Sequence, residues 1–117
     1  MIGRLHSVVL DCPDPRALAR FYSALLGEPV TRDDDDWVVV GEDARRCLAF
    51  QRAPDHVPPR WPDPAHPQQV HLDVQVDDLD EGERQVLALG ATRLPDEGDP
   101  GFRVFADPAG HPFCLVD

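Results

Sequence analysis

The stretch Gln69-Val70-His71-Leu72-Asp73-Val74-Gln75-Val76-Asp77-Asp78 decides the fold. Between Leu72 and Val76 apolar and polar residues alternate strictly, which is the period of a half-buried strand. Leu72, Val74 and Val76 therefore share one face, and His71, Asp73 and Gln75 share the other. The strand ends at Asp77-Asp78, and Leu79 to Leu89 then shows helical spacing, with Leu79, Val86 and Leu89 set against Arg84 and Gln85 and with Gly90 at the stop.

The same strand-into-helix unit occurs earlier in the chain. Residues 4 to 12 read as a strand, with Val8, Leu10 and Cys12 on one face and Ser7, Val9 and Asp11 on the other. Asp14-Pro15 opens a helix, because Asp is a good N-cap and Pro is favoured at the first helical position. Ala17, Leu18, Phe21, Tyr22, Leu25 and Leu26 form its apolar stripe, read as core, and Gly27 ends it. Three short strands are expected to follow each helix. In the first half they are Val30 to Arg32, Trp37 to Val40 and Cys47 to Gln51, with Gly41 to Arg45 as a turn. In the second half they are Thr92 to Leu94, Arg103 to Ala106 and Pro112 to Val116, with Asp107-Pro108-Ala109-Gly110 as the last turn. Asp33 to Asp36 read as a solvated hairpin turn rather than a cation site, since neighbouring Asp side chains in a turn rarely converge on one point.

Six prolines between residues 54 and 67 exclude helix and central strand there and mark a stiff linker. The chain of 117 residues is read as a single domain, residues 1–117, with repeat 1 at about 4–53, the linker at 54–67 and repeat 2 at about 68–117. Halves of about 55 residues would be marginal alone, so a shared core is expected. Eleven basic against 22 acidic side chains leave a net charge of −11, which disfavours nucleic acid and anionic membranes and favours cationic ligands. No apolar run approaches the roughly 20 residues of a membrane span. The first residues lack the features of a secretion signal, so a cytoplasmic location is expected. Cys12, Cys47 and Cys114 are widely spaced, which argues for reduced thiols rather than disulfides or a zinc ribbon.

Taken together, several stretches resemble the vicinal-oxygen-chelate (VOC) superfamily, which includes glyoxalase I, extradiol dioxygenases and the fosfomycin- and bleomycin-resistance proteins. They are Val9 to Cys12 with Asp14-Pro15, Phe21-Tyr22 through Gly27, Pro58 to Pro62, Val70 to Val74, Leu89-Gly90-Ala91 and Asp107 to Leu115. The nearest likeness is to bacterial glyoxalase-like domain proteins. The resemblance implies an α+β fold of two tandem βαβββ modules whose curved mixed sheet forms a concave cleft. It also implies a homodimer, a small-molecule ligand, and a divalent metal (Zn, Ni, Mn or Fe) held at four positions, one on the first and one on the last strand of each module. Those positions fall on Ser7, Ala49, His71 and Cys114. Only His71 and Cys114 have ligand chemistry, so no tightly bound cofactor is expected.

By strand parity the concave face would carry Ser7, Val9, Asp11, Ala49, Gln51, His71, Asp73, Gln75, Val104 and Cys114. His71 and Asp73 are two residues apart on one strand face, about 6.6–6.8 Å between Cα atoms, close enough for the carboxylate to influence the imidazole. They are equally able simply to satisfy each other, and Cys114 to be a small core residue. His56, His66 and His111 lie in loops with prolines nearby and read as surface. Three functions remain open. One is a metal-free binder of a hydrophobic or cationic molecule, with Trp37, Trp61 and Phe102 stacking and Gln51, Gln75 and Cys114 in contact. In that reading His71 orients the ligand through a hydrogen bond. Another is a metal-dependent lyase, isomerase or dioxygenase. The third is an acid–base enzyme using His71 and Asp73 as catalytic residues.

Overall fold

The computed structural model describes residues 1–42 and 47–117. It divides into two compact units, Met1–His56 and Val57–Asp117, each with the same order of elements.

In the first unit β1 (Val8–Cys12) leads into α1 (Pro15–Leu26), followed by β2 (Val30–Asp33), β3 (Trp37–Val40) and β4 (Leu48–Arg52). Asp14 caps α1 as its side chain accepts from the Ala17 N–H at 3.1 Å, Pro15 occupies the first turn, and Gly27 closes the helix in the left-handed region at φ +67°. The sheet order is β1-β4-β3-β2, with β1 parallel to β4 and the other pairs antiparallel. One helix face covers this sheet. Tyr22 stacks on Phe50 at 5.4 Å between ring centroids, and both are buried with Leu18, Val38 and Val40.

Two local expectations change here. β1 begins at Val8 rather than residue 4, because it pairs on one side only, with β4, and that ladder starts at Val8 opposite Leu48. Ser7 therefore precedes the strand. β4 in turn is shifted by one residue from its expected start, and the turn expected over residues 41–45 falls largely on residues 43–46, outside the described residues. The four-aspartate run is a turn whose carboxylates are each matched by an arginine: Asp33 and Asp35 by Arg16, Asp34 by Arg32, and Asp36 by Arg52, at 2.5–2.8 Å.

The second unit repeats the plan as β5 (Leu72–Gln75), α2 (Leu79–Ala88), β6 (Thr92–Arg93), β7 (Phe102–Ala106) and β8 (Pro112–Val116), with sheet order β5-β8-β7-β6. Asp78 caps α2, accepting from the Glu81 N–H at 2.9 Å. The apolar face of the sheet meets the helix at Gly82, where a Cβ would lie 3.1 Å from Leu115 Cδ1 and 3.3 Å from Val76 Cγ1. Below it Phe105 stacks on Phe113, both fully buried, and the Arg93 guanidinium lies over the Phe105 ring. Arg93 and Arg103 share Glu83, and Arg103 also reaches Asp80, which ties β6 and β7 to α2. Among the described residues, no helix is long and apolar enough to cross a membrane.

His111 is a further correction. Its side chain is only 15% exposed, and its Nδ1 lies 2.8 Å from Asp107 Oδ2. Asp107 also accepts from the Ala109 and His111 N–H groups, so the imidazole is part of the Asp107–Gly110 turn rather than free surface. His66, by contrast, is exposed and pairs with Asp63.

Candidate functional site

The face of β5 turned away from α2 is where chemistry-bearing side chains converge. Strand alternation puts Asp73 on that face, and His71 on the same side just before the strand. The parallel register sets Asp73 opposite Cys114, and the antiparallel register sets Val104 on the other side of Cys114. His71 Nε2 lies 3.3 Å from Asp73 Oδ1. Ligand atoms of His71, Asp73 and Cys114 all fall within 4.8 Å of one another. Each of these residues lines a cavity of about 320 Å³ that also takes in Asp99, Gly101, Phe102 and Val116.

The environment acts on the thiol in one direction. Burial pushes the Cys114 pKa above the usual thiol value, and the charge of Asp73, which also accepts a hydrogen bond from the thiol, pushes it further. Cys114 is half-buried, whereas His71 and Asp73 are exposed.

A second, larger cavity of about 690 Å³ adjoins the first through Asp99 and Phe102. Its walls include Trp61, Phe102 and Val104, and its rim carries Asp96, Glu97 and Asp99 from the β6–β7 loop. Trp61 is fixed by its indole N–H, which donates to the Pro95 carbonyl at 2.9 Å. Asp96 is held by the Gly98 N–H and by Arg93 at 2.6 Å, and these contacts keep its carboxyl below the usual range. Asp99 accepts from the Gly101 N–H at 2.7 Å.

Of the residues expected at a site, His71, Asp73, Phe102 and Cys114 thus share one cavity, and Trp61 joins Phe102 in the next. Gln75 lines neither. It sits beside Asp77, Asp78 and the first turn of α2. Trp37 and Ser7 line a cavity of about 330 Å³ in the first unit, Gln51 is exposed on β4 opposite Trp37, and Ala49 is fully buried. Sequence reasoning passed over Asp96, Glu97 and Asp99. The available signal was the acidic segment Pro95-Asp96-Glu97-Gly98-Asp99-Pro100 directly before an aromatic strand.

The four-position metal site of the superfamily does not fit these residues. Ala49 has no donor atom and is wholly buried, and Ser7 offers a neutral hydroxyl that lies 3.4 Å from His6 Nδ1.

A family model described as a glyoxalase-like domain matches residues 7–116. No protein of curated function matches the chain. Solved structures similar to it include a glyoxalase/bleomycin resistance protein/dioxygenase family enzyme from Burkholderia phytofirmans (TM-score 0.73, 18% identity, 97% of each chain covered). A possible glyoxalase from Bacillus cereus is also similar (TM-score 0.71, 12% identity, all of each chain). So is a genomically encoded fosfomycin resistance protein from Listeria monocytogenes (TM-score 0.73, 17% identity, 99% of this chain and 93% of that one). At these identities the likeness is one of fold.

Proposed function

The chain belongs to the glyoxalase-like domain family, and from that premise we propose that it binds a small aromatic cation in the second unit, without relying on a tightly held metal. The observation that carries this reading is the 690 Å³ cavity, which pairs Trp61 and Phe102 with Asp96, Glu97 and Asp99 and, among the described residues, has no basic residue in its lining. Aromatic faces attract cations through their quadrupole, and the attraction strengthens where water is partly excluded. Asp96 is already matched by Arg93, so the charge free to act on a ligand comes from Glu97 and Asp99. The net charge of −11 adds a longer-range attraction for cations. Independence from metal is supported by Ser7 and Ala49, which leave the superfamily's metal positions in the first unit without a strong donor.

Calorimetric titration with N-methylquinolinium and with uncharged quinoline at neutral pH tests this. The cation is expected to bind at one site, with affinity that falls as salt is raised, and quinoline to bind much more weakly. Equal binding of the two, or none of either, removes the proposal.

A further inference from the structure

We infer that Gly110 and Pro58, which line neither of the cavities at Trp61, are positioning residues for that ring: the packing of one on the other sets where the indole stands in the 690 Å³ cavity. The consequence for a ligand rests on the cation-binding reading above. The geometry rests on the second unit alone.

Side-chain packing by itself leaves the indole unfixed. A ring in a close-packed interior is held by neighbours on every side. Trp61 instead borders two open spaces, the 690 Å³ cavity and another of about 310 Å³ walled by Pro62, Pro64, Pro67 and Gln68. Its N–H donates to the Pro95 carbonyl, and a second acceptor stands in the wall of the smaller space. This is Gln68 Oε1, which is buried and has no hydrogen-bond partner among the described residues. A swing of the ring toward Gln68 would exchange one hydrogen bond for another and satisfy a buried polar atom, so hydrogen bonding opposes it only weakly. The restraint on Trp61 therefore comes from the backbone that carries it.

That backbone is held three residues earlier, at Pro58. Gly110 has φ +94°, and a Cβ built on it would lie 2.5 Å from Pro58 Cβ and 3.1 Å from Pro58 Cγ, so the proline ring occupies the space that a side chain would fill. The turn that carries Gly110 is firmly tied. The Gly110 N–H donates to the Asp107 carbonyl at 2.9 Å, and the buried Asp107 carboxylate takes the Ala109 and His111 N–H groups as well as the His111 imidazole. From Pro58 onward the chain is stiff, because prolines at 58, 59 and 62 fix φ and bias Val57, Pro58 and Trp61 to extended backbone. Around Trp61 the loop closes on itself, with the Arg60 N–H on the His66 carbonyl at 2.9 Å and the Asp63 N–H on the Arg60 carbonyl at 2.7 Å. A shift at Pro58 is passed to Trp61 rather than absorbed between them.

The test is a double-mutant cycle on Gly110→Ala and Pro58→Gly, in a Trp37→Phe background so that emission reports Trp61 alone. Gly110→Ala pushes Pro58 away, and Pro58→Gly removes the ring that packs on the turn. Each should shift the ligand-free Trp61 emission and weaken N-methylquinolinium binding by about two- to fivefold, the value of an exposed cation–aromatic contact. In the double variant the added methyl takes space that the proline ring gave up, so emission and affinity should recover part of the way toward the parent. Gly27→Ala is the control for a purely structural effect. It too alters a left-handed glycine, at φ +67°, but a Cβ there meets nothing within 4 Å, and both readouts should stay unchanged. Pro58→Gly introduces no clash and keeps the test decisive if Gly110→Ala does not fold. Unchanged emission in Pro58→Gly, losses that simply add in the double variant, or an equal shift in Gly27→Ala overturns the inference. If the parent itself fails to bind N-methylquinolinium, the cation-binding reading falls, while the emission cycle still decides whether Gly110 and Pro58 position Trp61.

Discussion

Asp73 stands directly opposite Cys114 across the parallel β5–β8 pair, and the corresponding pair in the first unit is Val9 opposite Ala49. One ladder position therefore carries a carboxylate and a thiol in one repeat and two apolar side chains in the other. The tandem repeat preserves the backbone plan, while polar chemistry at this position is found in the second module.

That pairing has a consequence for thiol reactivity. Burial and the Asp73 charge both disfavour the Cys114 thiolate, so its alkylation by iodoacetamide, followed peptide by peptide, should have a midpoint above that of an unperturbed cysteine. Asp73→Asn should move the midpoint down part of the way, because burial remains. The raised folded pKa also means that this group's contribution to stability is complete below the unfolded thiol pKa and is lost as pH rises through the folded value. An unchanged midpoint in Asp73→Asn contradicts the account.

Acid should act on different groups. Asp33 is held below the usual carboxylate range first by its hydrogen bond to Arg16, Asp63 by His66, Glu81 by Arg84, and Asp96 by the Gly98 N–H. A depressed folded pKa gives stability that is present above the unfolded carboxylate pKa and lost as pH falls through the folded one. The denaturation midpoint should therefore decline below about pH 4, the unfolded range of these groups. Asp96→Asn should flatten that decline. A midpoint that rises on acidification would count against it.

Glycine substitutions separate backbone strain from close contact. At Gly27, φ is +67° and a Cβ would meet nothing within 4 Å, so Gly27→Ala should cost only the left-handed penalty, about 1–2 kcal/mol. At Gly110, φ is +94° and a Cβ would lie 2.5 Å from Pro58 Cβ. Gly110→Ala should cost more than Gly27→Ala by about 1–3 kcal/mol in chemical denaturation, as overpacking is added to strain. Equal costs would mean that Pro58 moves aside freely.

A homodimer is expected from the family resemblance and from the small core that a chain of this size can build. Light scattering at tens of micromolar should give about twice the 13.0 kDa chain mass. A mass equal to one chain excludes it.

Much of this architecture was legible because its signals are local. Asp14-Pro15 and Gly27 bracket α1, Asp78 opens α2, and alternation from Leu72 to Val76 sets which side of β5 faces the helix. What was not legible depends on partners distant in sequence. The start of β1 is set by where β4 begins to pair, and the approach of Asp73 to Cys114 is set by a cross-strand register. The position of His111 was misread because a neighbouring proline suggests a loop but not that Asp107 is buried beneath it. Asp96, Glu97 and Asp99 were passed over because nothing local in the sequence places them beside Trp61 and Phe102, which line the same cavity.

The two tryptophans give the final prediction, because they lie in different units with different surroundings. Trp61 shares its cavity with Phe102, Glu97 and Asp99, whereas Trp37 lines one that holds both Arg32 and Glu42 and, among the described residues, no second aromatic ring. N-methylquinolinium should therefore quench the fluorescence of Trp61 and leave that of Trp37 largely unchanged. Trp61→Ala should weaken binding by about 0.5–2 kcal/mol, the range of a cation held against an aromatic face, and Trp37→Ala should not alter it. The double variant Glu97→Gln, Asp99→Asn should lower the affinity and also flatten its salt dependence, since those carboxylates supply the screened part of the attraction. If Trp37→Ala is the variant that abolishes quenching, the cation site lies in the first unit and the acidic β6–β7 loop has no part in it.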